Sequence, residues 1–332
     1  MRQPVPIILA MKFYVLKTRD PYLNLAIEEY LFYSETDDVF MLWQNDPTVV
    51  IGKNQNVYAE INFEYLKKHN IKVSRRITGG GAVYHDGGNV NYTFISSAND
   101  SGIDFEHFTA PIIEVLADMG VHAKLSGRND IQINDKKISG NAQYSHNGRV
   151  LHHGTLLFDS DISVLSSVLS VDEEKIKTKA IRSVASRVAN IKDYLSEEYD
   201  IEKFISRISE FVERKYSTKL QEAPMNDEIL RLCARNASPD WIYPDRKMLS
   251  EYSFTKKRKY PFGLVVAYIK MENDKMSDIK IRGDFFAIAP IEELERAVLK
   301  YYGSLEGKLD ISVSDYIFGM DNDTFLEFLR GE

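Results

Sequence analysis

The segment from Arg75 to Asn89 constrains the fold of this chain more than any other. Its sequence is RRITGGGAVYHDGGN, in which three consecutive glycines follow two arginines. Glycine has no Cβ atom, so a run of three lets a ligand approach the backbone closely. The amide N–H groups of such a run can bind a phosphate or a carboxylate, and neighbouring arginines add fixed positive charge. The segment therefore predicts an anion-binding loop, with a flexible turn beside two solvated arginines as the alternative.

A predicted hairpin provides a candidate cation. In GRNDIQINDKKISGNAQ (127–143), Ile131 and Ile133 alternate with polar residues, as on a half-buried strand. The Asn-Asp pair that follows is typical of a turn, and a returning strand begins at the two lysines. If Ile138 points into the core, its neighbour Lys137 points to the other face of the strand. An exposed hairpin lysine is the alternative interpretation.

A third motif, HHGTLLF (152–158), is an apolar strand that begins with two histidines. Successive side chains of a strand point to opposite faces, so at most one of His152 and His153 is expected to face a site. The spacing is not that of a metal site, because the chain contains no HExxH or CxxC pattern.

The composition is that of a soluble globular enzyme. The chain has 332 residues, of which 44% are hydrophobic and 27% charged, enough for a large domain and a small one. The 42 basic and 49 acidic side chains give a net charge of −7, which argues against nucleic-acid binding. The only cysteine is Cys233, so no intrachain disulfide can form and a cytoplasmic location is expected. No apolar run is long enough to span a bilayer, so no membrane partner is expected.

Residues that begin or end helices, and the spacing of apolar residues, predict the organisation of the chain. Helices are predicted from Asp20-Pro21, over 57–69, and over Pro111–Met119 with Gly120 ending the last. Apolar residues at helical spacing between 201 and 212 predict a helix that packs on the core.

The segment 236–247, NASPDWIYPDRK, contains two prolines and predicts the domain boundary. We expect a catalytic domain at 11–241 and a small accessory domain at 248–332 that contains a hairpin and two helices. Residues 1–10 are expected to be either a native extension or a remnant of cloning.

Together these motifs resemble those of the lipoate–protein ligase A family. The match comprises, in order, RRITGGGAVYHD, GRNDIQIN with KKISGNAQ, HHGTLLF, and KTKAIRSVASRVANI at 177–191. DPYLNLAIEEYLF, at 20–32, fits the family as well. The resemblance implies an α+β fold, with a catalytic domain like those of class II aminoacyl-tRNA synthetases and biotin–lipoate ligases. It also implies the small α+β C-terminal domain of the long-form enzymes.

The resemblance implies a two-step reaction that uses ATP and Mg²⁺. Lipoate is activated to lipoyl-AMP with loss of pyrophosphate, and the lipoyl group is then transferred to a lysine of an apo lipoyl domain. The implied partners are the acyltransferase subunits of 2-oxoacid dehydrogenases and the glycine cleavage H protein. Because two anions must meet, a cation is needed near the reacting carboxylate and the α-phosphate. Lys137 matches the family lysine in this role and is the candidate catalytic residue.

The resemblance also assigns ligand-binding roles. Arg76 matches an arginine that reaches the nucleotide or the lipoyl side, and Asp130 orients Lys137 or holds Mg²⁺ through water. His153 lines the entrance of the acyl pocket, and Trp43 packs either against the lipoyl tail or in the core. The stretch that lines adenine and phosphate comprises Gly79, Gly80, Gly81, Ala82, Val83 and Tyr84, followed by His85, a ligand or a structural donor.

The resemblance implies that the loop at 177–188 closes over the adenylate, with a solvated basic loop as the alternative. It contributes the ligand-binding candidates Lys179, Arg182 and Ser183. The glycine that usually follows the loop lysine in the family is Ala180 here, a departure that is expected to alter loop mobility but removes no polar group.

Two other functions are compatible with the fold. An ATP-independent octanoyl or lipoyl transferase needs a cysteine nucleophile. The only candidate is Cys233, within ILRLCAR on a predicted helix, where a buried thiol is usually inert. A non-catalytic lipoate-binding paralogue is the second alternative, and retention of both Lys137 and Arg76 argues against it.

Overall fold

The computed structural model describes residues 11–97, 103–169, 187–246, 251–303 and 309–331. Its strands are, in chain order, β1 (Met11–Val15), β2 (Asp38–Trp43), β3 (Thr48–Ile51), β4 (Lys72–Arg75), β5 (Val83–His85), β6 (Asn89–Ser97), β7 (Lys124–Ser126), β8 (Asp130–Ile133), β9 (Lys136–His146), β10 (Arg149–Leu157), β11 (Leu220–Gln221), β12 (Phe254–Tyr260), β13 (Gly263–Glu272) and β14 (Lys275–Gly283). Its α-helices are α1 (Pro21–Ser34), α2 (Val57–Glu60), α3 (Phe63–Lys68), α4 (Phe105–Asp118), α5 (Ile162–Val168), α6 (Ile201–Tyr216), α7 (Asp227–Asn236), α8 (Pro239–Ile242), α9 (Ile291–Gly303) and α10 (Asn322–Arg330).

A large mixed sheet forms the centre of the first domain. Its strand order is β11-β1-β2-β6-β10-β9-β8-β7, with β1 parallel to both β2 and β11 and the other pairs antiparallel. A small sheet of order β4-β3-β5 lies beside it, and the glycine run connects β4 to β5. The glycine run is therefore held at both ends by strands that pair with β3.

Both faces of the large sheet are buried, as the alternation along β2 illustrates. Phe40 and Leu42 belong to one core cluster, whereas Met41 and Trp43 belong to another. Helices α4 and α6 cover the first face, and α1 covers the second. Because successive side chains of a strand point to opposite faces, β2 contributes to both cores.

Helix α1 begins where the sequence predicts. The Asp20 side chain accepts a hydrogen bond from the Tyr22 amide at 2.9 Å, and Pro21 occupies the first helical position. The helix buries Leu25, Ile27 and neighbouring residues against the sheet, and two carboxylates of the same helix are buried with them. One of these carboxylates, Glu28, lies close to the site described below.

The C-terminal part has its own core. Strands β12, β13 and β14 form an antiparallel sheet, on which α9 and α10 pack. This core contains Val265, Ile279, Leu294 and Phe325. Strand β12 is not predictable from periodicity, because its KKRK run has no apolar alternation. The domain limits expected from the sequence stay a prediction.

Two helix predictions were wrong at their boundaries. The helix expected over 57–69 is broken between α2 and α3, where the Asn62 side chain caps α3 by accepting from the Tyr65 amide at 3.1 Å. The helix expected from Pro111 begins earlier, at Phe105, and contains Pro111 inside it. An Asp104 cap and burial of the apolar face compensate for the one backbone hydrogen bond that proline removes. No helix in the described ranges is long and apolar enough to cross a membrane.

Candidate active site

Lys137 lies at the start of the hairpin that the sequence predicts. The turn between β8 and β9 is Asn134-Asp135, with left-handed φ values of 50° and 62°, as in two-residue hairpin loops. This register places the Lys137 Nζ atom 2.8 Å from Asp130 Oδ1. The neighbouring Lys136 is exposed, as the alternation of a strand requires.

Two features hold Lys137 in place. A Cβ atom at Gly140 would lie 2.7 Å from Lys137 Nζ, so a larger residue there would displace the ammonium group from this position. The Lys137 amide donates to the Arg187 carbonyl at 2.7 Å, and its carbonyl accepts from the Ala189 amide at 2.9 Å. The C-terminal end of the predicted closing loop, at Arg187, is therefore tied to the backbone of Lys137.

A cavity of about 110 Å³ extends from Lys137 into the first domain. Buried side chains of Leu25, Trp43 and Val50 give it an apolar wall. Its polar lining comprises Arg76, His85, Asn91, Asn129, Lys137, Asn141, His153 and Thr155. The cavity thus combines an apolar interior with one side-chain ammonium group, the arrangement expected for a fatty carboxylic acid.

A second cavity lies on the other side of Lys137. It is lined by Ala82, Val83, Tyr84, Asp130, Gln132, Asp135, Lys137, Thr155, Leu157, Leu165, Leu169, Arg187 and Val188. Four residues line both cavities, namely Ala82, Val83, Lys137 and Thr155. Lys137 therefore lies at the junction of two cavities, where one ammonium group can contact a ligand in each.

Arg76 shapes the glycine run. Its Nε donates to Thr78 Oγ1 at 2.9 Å, and Nη1 donates to the Val50 carbonyl at 3.0 Å. Its Nη2 donates to the carbonyls of Gly79 and Gly81, each at 2.7 Å. Burial lowers the pKa of Arg76 to about 10, so the guanidinium remains protonated at neutral pH. Because a guanidinium has five N–H donors, these contacts leave at most one for a ligand.

The first two glycines of the run contact the second domain. A Cβ at Gly79 would lie 2.4 Å from the Phe285 carbonyl oxygen, and the Gly80 amide donates to the same oxygen at 3.2 Å. Gly80 has a φ of 88°, and its Cβ would lie 3.0 Å from Phe286 Cε1. The Phe285–Phe286 segment therefore occupies the space beside Gly79 and Gly80 that the missing Cβ atoms leave open. Gly81 has more space, since a Cβ there would meet only Asp284, at 4.0 Å.

The contact of Phe286 with the first domain is not apparent from the sequence. The ring is fully buried, with its centroid 5.3 Å from that of Phe105. The Arg128 guanidinium lies over the ring, 4.4 Å from its centroid, and also donates to the Phe262 carbonyl. The only sequence signal is the pair of adjacent phenylalanines directly after a strand.

Trp43 and His85 form part of the apolar cavity wall. The Trp43 ring lies edge-on to His85 at 5.9 Å, and its Nε1 donates to Thr93 Oγ1 at 2.9 Å. Trp43 therefore both packs in the core and lines the cavity. The His85 Nδ1 is 3.0 Å from the Asn45 amide nitrogen, and burial lowers the pKa of His85 to about 3. His85 is thus a neutral group at physiological pH, on a strand and not in a turn.

The two adjacent histidines face opposite sides of β10, as predicted. His153 lines the cavity, with Nδ1 2.9 Å from Glu28 Oε1 and Nε2 2.9 Å from Thr78 Oγ1. His152 is fully buried and stacks on Phe108 with ring centroids 5.1 Å apart. Burial lowers the pKa of His152 well below its ordinary value, so this side chain is an uncharged part of the core.

Other candidates have different positions. Tyr84 is buried at the second cavity, where burial raises its pKa to about 12. Cys233 lies on α7, lines neither cavity, and has its thiol pKa raised by burial. The loop candidates lie outside the described residues, namely Lys179, Arg182 and Ser183. Within the described ranges, no group of three or more acidic, histidine or cysteine side chains is arranged to hold a metal ion.

Two family models of lipoyl-attaching enzymes match the chain. The family model for the lipoyl protein ligase A/B catalytic domain matches residues 20–213. The model for the bacterial lipoate protein ligase C-terminus matches residues 250–329. The chain therefore belongs to the lipoate–protein ligase family and has both of its domains, which confirms the resemblance inferred from the motifs.

Individual relatives agree with this assignment. Lipoate-protein ligase LplJ of Bacillus subtilis is 37% identical over 326 residues, which cover 93% of this chain and 97% of the relative. Lipoate–protein ligase 1 of Staphylococcus aureus is 37% identical over 303 residues, covering 90% and 91%.

Solved structures share the fold. The P. falciparum LipL1 structure, in complex with lipoate, covers 97% of this chain and 98% of its own, with a TM-score of 0.76 and 24% identity. A bipartite lipoate protein ligase of Thermoplasma acidophilum covers 70% and 96%, with a TM-score of 0.64 and 27% identity. The α+β fold expected from the sequence is confirmed.

Proposed function

We propose that this chain is an ATP-dependent lipoate–protein ligase. The observation that carries the proposal is the position of Lys137 at the junction of two cavities. A lipoyl tail fits the apolar cavity lined by Leu25, Trp43 and Val50, with its carboxylate toward Lys137. The nucleotide would then occupy the second cavity, with its α-phosphate near the same ammonium group.

This arrangement supports adenylation by positioning and electrostatics. A carboxylate oxygen of lipoate attacks the α-phosphorus of ATP, a phosphorus–oxygen bond forms, and pyrophosphate leaves. The Lys137 ammonium reduces the repulsion between the two anions and stabilises the charge of the transition state. Asp130, 2.8 Å from Nζ, orients the ammonium group before the substrates bind.

The second step transfers the acyl group. The amine of an acceptor lysine attacks the carbonyl carbon of lipoyl-AMP, the amide bond forms, a proton is lost, and AMP leaves. The acceptors that we propose are apo lipoyl domains of 2-oxoacid dehydrogenase acyltransferase subunits and the glycine cleavage H protein. The T. acidophilum ligase was solved as part of a system with its E2 lipoyl domain, which supports this class of partner.

Magnesium enters this proposal with the nucleotide. Mg²⁺ is usually bound by one or two carboxylates together with substrate phosphates, and Asp130 is a carboxylate at the second cavity. When bound, Mg²⁺ would neutralise part of the phosphate charge. We also propose that Lys179, Arg182 and Ser183 bind the adenylate, on the strength of their match to the family loop. A cytoplasmic location fits the single cysteine.

The alternatives have weaker support. A thioester-forming transferase needs a nucleophile at the acyl site, and Cys233 lies on α7 away from both cavities. A non-catalytic paralogue would have no need for an ammonium group held between two cavities by Gly140 and Asp130.

Lipoate-dependent exchange of radiolabelled pyrophosphate into ATP tests the proposal on the purified full-length chain. We expect exchange that requires both lipoate and Mg²⁺, followed by lipoylation of an added apo H protein. No exchange with lipoate or octanoate under Mg²⁺ or Mn²⁺ would refute adenylation. Acyl transfer from an octanoylated carrier without ATP would support the transferase instead.

A further inference from the structure

Buried hydrogen bonds join the wall of the apolar cavity to a carboxylate on α1. The Trp43 Nε1 donates to Thr93 Oγ1 at 2.9 Å, and the Thr93 hydroxyl donates to Glu28 Oε1 at 2.6 Å. All three side chains are buried, with Glu28 only 1% exposed. Since an indole N–H can only donate, the Thr93 oxygen must accept from Trp43, and its own hydrogen is free for Glu28.

A second series of hydrogen bonds, the arm through His153 and Thr78, joins the same carboxylate to the glycine run. His153 Nδ1 lies 2.9 Å from Glu28 Oε1, and His153 Nε2 lies 2.9 Å from Thr78 Oγ1. Thr78 Oγ1 accepts from Arg76 Nε at 2.9 Å, and Arg76 in turn holds the carbonyls of Gly79 and Gly81. The arm therefore continues without a gap from α1 to the backbone of the glycine run.

The chemistry of the end groups constrains the directions of these hydrogen bonds. Arg76 can only donate, so Thr78 accepts from it, and the Thr78 hydroxyl has two acceptors within reach, His153 Nε2 at 2.9 Å and the Gly79 carbonyl at 3.5 Å, of which the first is closer. A carboxylate can only accept, so the 2.9 Å contact is one in which His153 Nδ1 donates to Glu28. Two donor-only ends thus converge on one carboxylate, with the imidazole of His153 as the link between Thr78 and Glu28.

A carboxylate at this position needs a reason other than packing. The α1 face that carries Glu28 packs apolar side chains such as Leu25 and Leu31 against the sheet. Burying an ionised carboxylate costs several kcal/mol unless hydrogen bonds and an opposite charge compensate. Here the compensation comes from Thr93, from His153, and from the charge of Arg76, whose pKa Glu28 raises against the effect of burial.

We propose that Glu28 is a positioning residue for adenylation. Through His153 and Thr78, it holds Arg76 and the glycine run in the geometry that presents Ala82 and Val83 to both cavities. Glu28 acts without touching either substrate, because its effect passes through its hydrogen bond to His153 and from there to Thr78 and Arg76. The role rests on the proposed ligase function for its kinetic consequence, but its structural basis is independent of that function.

Kinetics of lipoate-dependent pyrophosphate exchange test this role. Glu28→Met keeps the volume but removes the acceptor, and Thr78→Val removes the hydroxyl while keeping the buried charge. Each should lower kcat by about 10²-fold, the effect of a displacement on the order of 1 Å in a reacting site. The double variant should be no worse than either single variant, because both break the same arm. Glu28→Gln should stay within about fivefold of wild type, since its amide oxygen can accept both bonds.

A matched control lies on the same helix. Glu29 is also buried, and it pairs with Arg235, with Arg235 Nη1 2.9 Å from Glu29 Oε1, away from both cavities. Glu29→Met removes an equivalent buried carboxylate, so we expect lower stability but an unchanged kcat for the folded enzyme.

The tautomer gives a readout that a purely structural role would not change. In ¹⁵N-detected NMR, His153 should carry its proton on Nδ1 in wild type and in Thr78→Val, and on Nε2 in Glu28→Met. The role of Glu28 is overturned by full adenylation in Thr78→Val, by multiplicative losses in the double variant, or by the Nε2 tautomer in wild type. If Glu28→Met does not fold, Thr78→Val alone decides the matter. A wild-type chain without lipoate-dependent exchange would instead refute the ligase function.

Discussion

Replacement of Lys137 by alanine should remove adenylation while leaving the protein folded. The Lys137 side chain is 34% exposed and its ion pair with Asp130 is only partly buried. Ion pairs at such positions contribute about 0–1 kcal/mol to stability. The free energy of unfolding of the variant should therefore lie within about 1 kcal/mol of the wild-type value. A loss of activity will then report on the site and not on the fold.

The expected loss has two parts. Removing one preorganised electrostatic group from an active site costs about 10²–10³ in rate. In addition, Asp130 loses the cation 2.8 Å away and then faces the substrate carboxylate and phosphate alone. Like charges about 4 Å apart repel by about 1 kcal/mol in water and about 4 kcal/mol at an effective dielectric constant of 20. We therefore expect a loss of at least about 10³ in the rate of adenylation.

Initial rates of lipoate-dependent pyrophosphate exchange measure this effect, with circular dichroism to verify folding. Lys136→Ala is the control, because that exposed side chain points to the opposite face of β9 and should stay within about twofold of wild type. Equal losses in the two variants, or a normal rate for Lys137→Ala, would refute the assignment of Lys137.

Three further predictions concern other parts of the chain. Phe286→Ala should lower the free energy of unfolding by about 3–5 kcal/mol in urea titrations, as at other fully buried phenylalanines, whereas the 57% exposed Phe254 should tolerate alanine within about 0.5 kcal/mol. Cys233→Ser should retain its lipoylation rate, and an acyl–thioester on Cys233 detected by mass spectrometry would contradict this. Burial lowers the pKa of His85 to about 3, so below about pH 6.5 the unfolded chain binds a proton that the folded chain does not. The free energy of unfolding should therefore fall with decreasing pH, by up to about 1.4 kcal/mol per pH unit for His85. In urea titrations at several pH values, His85→Asn should make this slope shallower. An unchanged slope would mean that the histidine titrates normally in the native state.

Local sequence pattern was sufficient for much of the catalytic hairpin. The alternation around Ile131 and Ile133 and the turn after it predict a hairpin with Lys137 on the face opposite Ile138, and the structure has this arrangement. The same rule separates His153, which lines the cavity, from the buried His152. These predictions succeed because side-chain direction along a strand follows from backbone geometry within a few residues.

Boundaries of helices depended on longer-range effects. A proline normally favours a helix start, yet Pro111 lies inside α4, because the capping Asp104 and the buried apolar face outweigh one missing hydrogen bond. The stabilisation that compensates for the missing hydrogen bond comes from the core against which α4 packs. That core is built from distant strands, so a short stretch of sequence around Pro111 does not reveal it.

The glycine run separates what sequence determines from what tertiary structure decides. Three glycines in a row leave room for a close approach to the backbone, because they carry no Cβ atoms. The tertiary structure decides what approaches, and at Gly79 and Gly80 it is the Phe285–Phe286 segment of the second domain. Likewise, the sequence places Glu28 on an otherwise apolar helix face, but only packing brings it to His153 and Thr93. Chain connectivity constrains neighbours along the backbone, whereas contacts between distant segments are selected by the burial of surfaces from the whole fold.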